Sequence, residues 1–263
     1  MIHEFQRRYA RSFIPENSVL KRPIEIDISE DYGERQFSRS HATQVVIAAL
    51  NEEKGIGLTI AELQEKLNSP HILVVDGHSN DRTVEIAKRL GADTALQDGV
   101  GKGDAISKAL KMTKPGTDYI VLTDADFTYP AYEVPKMIKI LEKNPKVGMV
   151  CGNRFTNELN PQALQDRFYI GNRLLAFAHY VLNGVNLQDP LTGLRVIRAE
   201  ILRDWSIKSE GFDVEVELNS LIQKKGYETV EVPIAYRERQ GQKKLKMKHG
   251  ATIFKRIMTE IIL

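Results

Sequence analysis

"YIVLTDADFTYP", residues 119–130, opens as an apolar, β-branched run and ends with two carboxylates one residue apart. A short run of this kind, closed by polar residues, is predicted to be a buried strand covered on both faces. Side chains at i and i+2 of an extended chain point to the same side, so Asp124 and Asp126 are expected to converge at the strand's C-terminal end. Two such carboxylates suit a hard cation, Mg²⁺ or Mn²⁺, that keeps waters and shares substrate phosphates. A DxD pair standing alone is equally a capped turn, with Asp126 as N-cap of the next helix. The neighbouring segments have to decide.

Upstream, "QVVIAAL" (44–50) and "HILVVD" (71–76) are buried-strand runs, each followed by a polar turn and a helical pattern. That alternation predicts βαβ units in an α/β domain. Right-handed crossovers make the strands parallel and bring their C-terminal ends to one sheet edge, where open α/β sheets bind ligands. Asn51, Glu52, Asp76 to Asp81, Asp124 and Asp126 stand at those ends. Asp76 is placed to accept N–H bonds from a nucleobase edge, or is simply a turn residue, while Ser79 and Asp81 are expected to cap the helix that follows. In "VGKGDAI" (100–106) Lys102 lies between two glycines just before a helix. Backbone N–H groups and a cation there can face a phosphate. The spacing is not that of a Walker P-loop and no GxGxxG occurs, which argues against a dinucleotide dehydrogenase.

The chain of 263 residues is 42% hydrophobic and 27% charged, the balance of a soluble α/β domain with appendages. A net charge of +2 gives no reason to expect nucleic acid as a partner. The single cysteine, Cys151, excludes an internal disulfide, fits a reducing compartment and, flanked by Val150 and Gly152, reads as a small buried residue. No apolar stretch follows the N-terminal arginines, and no window reaches the roughly 18 apolar residues of a spanning helix. A cytoplasmic protein is expected. Residues 1–42 are polar and aperiodic, an extension that is disordered or packed as an arm; 43–248 form the regular domain; 249–263 form a C-terminal amphipathic helix.

Two segments bear on membranes. "LLAFAHYVL" (174–182) is too short to span and suits either a helix lying on a bilayer or a buried core helix. "ATIFKRIMTEIIL" (251–263) sets Ile253, Ile257 and Ile261 beside Phe254, Met258 and Ile262, opposite Lys255, Arg256 and Glu260. Such a helix lies in an interface or packs on its own domain or a partner subunit.

"AALNE", "VVDGHSNDRT", "GKGDA", "TDADFTYP", "GNRF", "DPLTGLRV", "GFDVEVEL" and "YRERQGQKKL" occur in this order. The set resembles family-2 glycosyltransferases over about residues 44–250, and the later motifs resemble the dolichyl-phosphate mannose and glucose synthases, particularly archaeal ones. The resemblance implies a GT-A, Rossmann-like, mostly parallel sheet flanked by helices. It implies that Ala48, Asn51, Glu52, Asp76, Lys102, Gly103, Asp124, Ala125 and Asp126 bind the nucleotide sugar, with Asp124 and Asp126 at the metal. Arg154 would face the phosphates, Asp189 would join it in catalysis, and Arg173, Arg195, Arg237, Arg239 and Lys244 would shape the acceptor side. The chain departs from the pattern at Ala48, Leu50, Gly77, Thr128, Phe177 and Lys243, of which Thr128 bears on the metal and Phe177 on the acceptor phosphate.

A phosphate monoester, with a second pKa of about 6, is already largely an anionic nucleophile at neutral pH, so transfer onto it requires no general base. It requires cations to position two anionic substrates and a metal to neutralise the departing diphosphate. Arg154, Arg173, Arg195, Arg237, Arg239, Lys243, Lys244 and Lys246 can supply the former, although a charge run is also read as a solvated face. The leading expectation is therefore an inverting transferase, peripheral at the inner face of the cell membrane, moving a hexose from GDP-mannose or UDP-glucose to a polyprenyl phosphate. A membrane-protein partner or a homo-oligomer is compatible with it. A soluble acceptor such as phosphoglycerate, or a non-catalytic nucleotide-binding module, are the alternatives.

Overall fold

The computed structural model describes residues 41–155 and 167–261, so most of the expected N-terminal extension lies outside the described residues. The quoted run is strand β4 (Tyr119–Asp124), buried from Tyr119 to Thr123. The earlier runs form β1 (Thr43–Ala49) and β2 (His71–Asp76). Both β2 and β4 pair with β1 in parallel, with Ala49 opposite Asp76 and Ala48 opposite Asp124. A short strand that the hydropathy pattern does not reveal, β3 (Asp93–Leu96), extends the sheet beyond β2. Its four residues are at most half-buried, so no apolar run marks it.

On the other side of β4 one strand, β6 (Arg195–Arg198), reverses the direction. β5 (Val147–Asn153) and β6 are antiparallel to each other, β6 is antiparallel to β4, and β7 (Glu228–Pro233) runs parallel to β5. The seven-stranded order is β3-β2-β1-β4-β6-β5-β7, a mostly parallel sheet as expected. The chain crosses β1 on its way from β3 to β4, so the switch point lies between β1 and β4, where the polar turns accumulate. Because β6 is antiparallel, with Leu122 opposite Arg195, its entry loop arrives at the edge where β4 ends.

Amphipathic helices cover both faces. Helix α1 (Ile56–Lys66) buries Ile56, Ile60 and Leu63; α2 (Thr83–Arg89) buries Ala87; α3 (Gly101–Lys111) buries Ala105, Ile106 and Ala109; α4 (Val134–Lys143) buries Val134, Met137, Ile140 and Leu141. Each fully buried Val, Leu, Ile or Met among these stabilises the fold by roughly 1.5–3 kcal/mol. Cys151, fully buried with its thiol pushed up to about 12 by burial, belongs to the core, as its small flanking residues suggest.

Helix α5 (Arg167–Asn183) turns Asn172, Ala176, His179 and Asn183 inward and leaves Ile170, Leu174, Phe177 and Val181 43 to 67% exposed. After the short α6 (Ala199–Leu202) and the buried α7 (Val214–Lys224) comes α8 (His249–Thr259), the C-terminal amphipathic helix. The isoleucine stripe of α8 divides: Ile253 and Ile257 pack on Val216, Leu175, Ala178 and Leu182, whereas Phe254, Met258 and Ile261 remain exposed. Ile262, which the sequence assigns to the same stripe, lies outside the described residues. No described helix is long and apolar enough to cross a membrane.

Candidate active site

The turns after β1 and β2 are stitched together. Asn51, at a positive φ of 49°, donates its backbone N–H to Ser79 Oγ at 2.8 Å, and its Oδ1 accepts from the Asn80 backbone at 2.8 Å. Glu52 and Glu53 donate their backbone N–H groups to Thr83 Oγ1 and Asp81 Oδ2 at 2.8 and 3.1 Å. Ser79 thus ties the two turns rather than capping α2, and Asp81 precedes the N-cap, Arg82; its Oδ1 accepts the Thr83 N–H at 2.9 Å. Asp76 is buried; its Oδ2 accepts the Ser79 N–H at 2.9 Å, while Oδ1 has no hydrogen-bond partner among the described residues. A buried carboxylate oxygen without a donor is open to accept one.

At the end of β4 the two carboxylates take different cations. Asp124 Oδ1 lies 2.7 Å from Lys102 Nζ, which is also 2.8 Å from Glu215 Oε1 on α7. Burial opposes the charge on Lys102, but Asp124 and Glu215 outweigh it and hold the ammonium well above its ordinary range. The same pairing overcomes burial at Asp124 and lowers its pKa. Glu215 Oε2 is buried with no partner. Asp126 turns the other way: Oδ1 accepts the Thr128 hydroxyl at 2.6 Å and its backbone N–H at 3.1 Å, and Oδ2 is paired with Arg239. Asp126 is therefore a turn residue but not the N-cap of the next helix, which begins beyond Pro130; its Oδ1 closes the local turn on Thr128 and its Oδ2 takes the Arg239 cation. Thr128, a departure from the family pattern, is the residue that holds it.

A strap formed by residues 237–244 crosses these turns. The backbone N–H groups of Arg237 and Gln240 donate to Thr128 O and Asp126 O, both at 3.0 Å. Arg239 also pairs with Glu52, and Lys244 Nζ lies 2.8 Å from both Glu52 Oε1 and Asn51 O. Burial, set against these cations, leaves the Glu52 carboxyl above its usual range. Among the described residues no three His, Cys, Asp or Glu side chains cluster as a ready-made metal cage. The fit to a divalent cation is instead that of a site completed by substrate: Asp126, with Glu52 nearby, is charge-compensated by Arg239, and Glu52 Oε2 has no partner.

On the other side, Arg154 follows β5 and forms a two-point pair with Asp189, Nε to Oδ2 at 2.6 Å and Nη2 to Oδ1 at 2.7 Å. Burial works against this guanidinium, yet the surrounding acidic and phenolic groups, Asp189 among them, hold it charged. Asn172 of α5 donates to Asp189 Oδ1 at 3.2 Å. Gly193 closes the gap to β4: a Cβ there would stand 2.6 Å from Asp124 Oδ2, so only glycine fits between this loop and the carboxylate.

The structure relocates several residues that the resemblance assigns. Arg195 is no acceptor ligand: it is 1% exposed, and its donors go to Thr192 O, Pro190 O and Asn219 Oδ1 at 2.9, 2.6 and 2.6 Å. Gly103 does not offer its amide to a phosphate, because it lies in the first turn of α3 and donates to Glu210 O at 2.8 Å, with Ser209 O pressed against its Cα. Arg239 and Lys244 pair with Glu52, beside Asn51, and Arg237 is engaged with Glu62 at 2.9 and 2.6 Å while covering the Phe127 ring at 4.4 Å. Arg173 is exposed on α5 and donates to Gln188 O at 3.2 Å. Ala48 and Ala125 line the β1 and β4 ends. Glu215 escapes sequence reasoning, although the acidic residues of "GFDVEVEL" on a helix that buries both Glu215 and Glu217 are a signal for it.

The model of the family described as "Glycosyl transferase family 2" matches residues 44–206, which contain Asn51, Asp76, Lys102, Asp124, Asp126, Arg154 and Asp189. The chain belongs to glycosyl transferase family 2. The transferase is 34% identical to the dolichyl-phosphate hexose transferase of Haloferax volcanii over 81% of its own length and 91% of that relative's. It is 26% identical to the dolichol-phosphate mannosyltransferase of Pyrococcus furiosus, over 80% of its length but only 60% of that longer protein. Glucosyl-3-phosphoglycerate synthase from Mycobacterium tuberculosis, in complex with Mn²⁺, UDP-glucose and phosphoglyceric acid, aligns with a TM-score of 0.68 at 20% identity, covering 84% of this chain and 79% of that one. At such identity the likeness is one of fold, and it bears out the GT-A architecture.

Proposed function

We propose that the transferase moves a hexose from a nucleotide sugar, GDP-mannose or UDP-glucose, to a polyprenyl phosphate at a bilayer surface, with inversion. Asp76 Oδ1 accepts from the base edge, and Asn51 and Glu52 close the nucleoside pocket. Asp124 and Asp126 would hold Mg²⁺ or Mn²⁺, which would supply neutralisation of the charge developing on the diphosphate. Lys102 keeps Asp124 ionised, Thr128 keeps Asp126 in place, and Arg154 meets the phosphates. The acceptor is its own nucleophile, because a phosphate monoester is largely dianionic at neutral pH; no residue is needed to remove a proton.

The observation that carries the lipid acceptor is the outward stripe Ile170, Leu174, Phe177 and Val181 on α5, the helix that also presents Arg173 toward the 188–193 loop. A long apolar tail would follow that stripe while its phosphate reaches the arginine. Phe177, which departs from the family pattern, serves the tail rather than the phosphate. The exposed Phe254, Met258 and Ile261 of α8, with Lys248 and Lys255 exposed nearby, extend the same reading to an anionic bilayer. Incubation with labelled GDP-mannose or UDP-glucose and either polyprenyl phosphate in vesicles or 3-phosphoglycerate in solution tests it. Product in the lipid phase is expected; product on phosphoglycerate alone would establish the soluble-acceptor activity instead, and none on either would refute transfer to both.

A further inference from the structure

The loop 188–193 carries Asp189, and side chains and a turn bond around it hold its backbone. The Gln188 and Asp189 N–H groups both donate to the Glu231 carboxylate, each at 2.7 Å. Pro190 O accepts from Arg195 Nη2 at 2.6 Å and Asn219 Nδ2 at 3.0 Å, and Thr192 O accepts from Arg195 Nε at 2.9 Å. Thr192 N–H closes the turn on Asp189 O at 3.3 Å, and Gly193 N–H donates to the Tyr129 hydroxyl at 2.7 Å. The chain of contacts runs from β7 through this loop to Arg154, whose guanidinium rests on both oxygens of Asp189.

We propose that Glu231 is a positioning residue for Arg154, acting through the backbone of Gln188 and Asp189, with Arg195 and Asn219 bracing the loop from beneath. Two parallel N–H bonds onto one carboxylate orient the loop as well as attach it, in the way a bidentate arginine orients an acid. Glu231 sits on β7 opposite Cys151 of β5, two residues before Asn153 at that strand's end, so the β5/β7 register sets the distance from Glu231 to the Arg154 turn. Tyr129 and Gly193 bring the other end of the loop against Asp124, so one rigid segment relates the phosphate-facing arginine to the β4 carboxylate. Glutamine at 231 has one acceptor oxygen and must turn an NH₂ toward the second N–H, so it cannot reproduce the arrangement.

This inference rests on the reading that Arg154 meets phosphates, and the test separates the two. Arg154 in the full-length apo-protein is labelled with phenylglyoxal and quantified by peptide mass spectrometry, for wild type, Glu231→Gln and Glu231→Asp. Labelling is expected to rise by roughly tenfold in both variants, the factor that loss of a hydrogen bond to a charged group gives. Transfer kcat/KM is expected to fall by up to roughly 100-fold, as for a misplaced positioning group. In an Arg154→Ala background Glu231→Gln should add little to the loss, the non-additivity of residues acting as one unit. Unchanged Arg154 labelling in a folded variant, or a full additional loss in the Arg154→Ala background, overturns the positioning role. Raised labelling with Arg154→Ala fully active upholds it and instead refutes the phosphate role of Arg154.

Discussion

Lys102 and Asp124 are joined at 2.7 Å across the sheet edge, and the lysine is held simultaneously by Glu215 at 2.8 Å. One buried ammonium thus compensates two carboxylates from different parts of the chain. Lys102→Met leaves both acids without their cation, and breaking a buried pair from one side costs about 3–5 kcal/mol. Urea denaturation at pH 7 is expected to show a loss of that order. A loss within about 0.5 kcal/mol, the range of ordinary surface substitutions, would mean that water already solvates the trio.

Asp126→Asn keeps the oxygen that accepts the Thr128 contacts and removes the charge that Arg239 and a divalent cation compete for. Some stability should be lost, because Asp126 is buried and Arg239 keeps only Glu52 as a carboxylate partner; in the folded variant Mn²⁺ bound in the presence of a nucleoside diphosphate, followed by electron paramagnetic resonance, should weaken strongly. Retention of wild-type Mn²⁺ affinity would remove Asp126 from the cation site.

The donor's base can be located by calorimetry. Asp76→Ala is expected to raise the dissociation constant of the nucleoside diphosphate by roughly ten- to a hundredfold, equivalent to about 1.5–3 kcal/mol for a hydrogen bond to a charged group. Unaltered affinity would place the base elsewhere.

The two apolar stripes call for different outcomes from residues that are neighbours in sequence. Leu174→Ser with Phe177→Ser, or Phe254→Ser with Met258→Ser, changes exposed positions, so stability should hold while flotation with anionic vesicles declines. Ile257→Ser acts on a fully buried side chain and should destabilise by about 2–5 kcal/mol. If the exposed pairs reduce solution self-association rather than vesicle binding, a second subunit covers the stripes.

His179 supplies a pH test. It is fully buried on α5, its Nδ1 2.9 Å from the Asn183 amide that also donates to Ile257 O at 3.0 Å, and burial pushes its pKa down to about 4. The folded state therefore resists a proton that the unfolded chain accepts near pH 6.5. Its contribution is present above that pH and is lost as pH falls toward 4. At about 1.36 kcal/mol per unit the loss is on the order of 3 kcal/mol. The stability difference between wild type and His179→Gln should narrow over this window in denaturant titrations; a constant difference would mean that the histidine titrates normally.

Apolar patterning predicts the parallel strands β1, β2 and β4 and the sheet edge at which their polar turns gather. β1, β2 and β4 are short runs buried on both faces, whose only polar residues fall at their ends, so apolar patterning alone places Asn51, Asp76, Asp124 and Asp126 together. The motif order likewise carried the family resemblance. Tertiary structure decided what no periodicity encodes: that β6 runs antiparallel and delivers Gly193 to Asp124, that Arg195 is consumed inside the fold, and that Arg239 and Lys244 return to Glu52 nearly two hundred residues earlier. It also divided the α8 stripe into a packed edge and an open one. The physical reason is that burial periodicity is a local property of the chain, whereas the partner of a charged group is set by whichever distant segment the completed sheet brings within hydrogen-bonding distance.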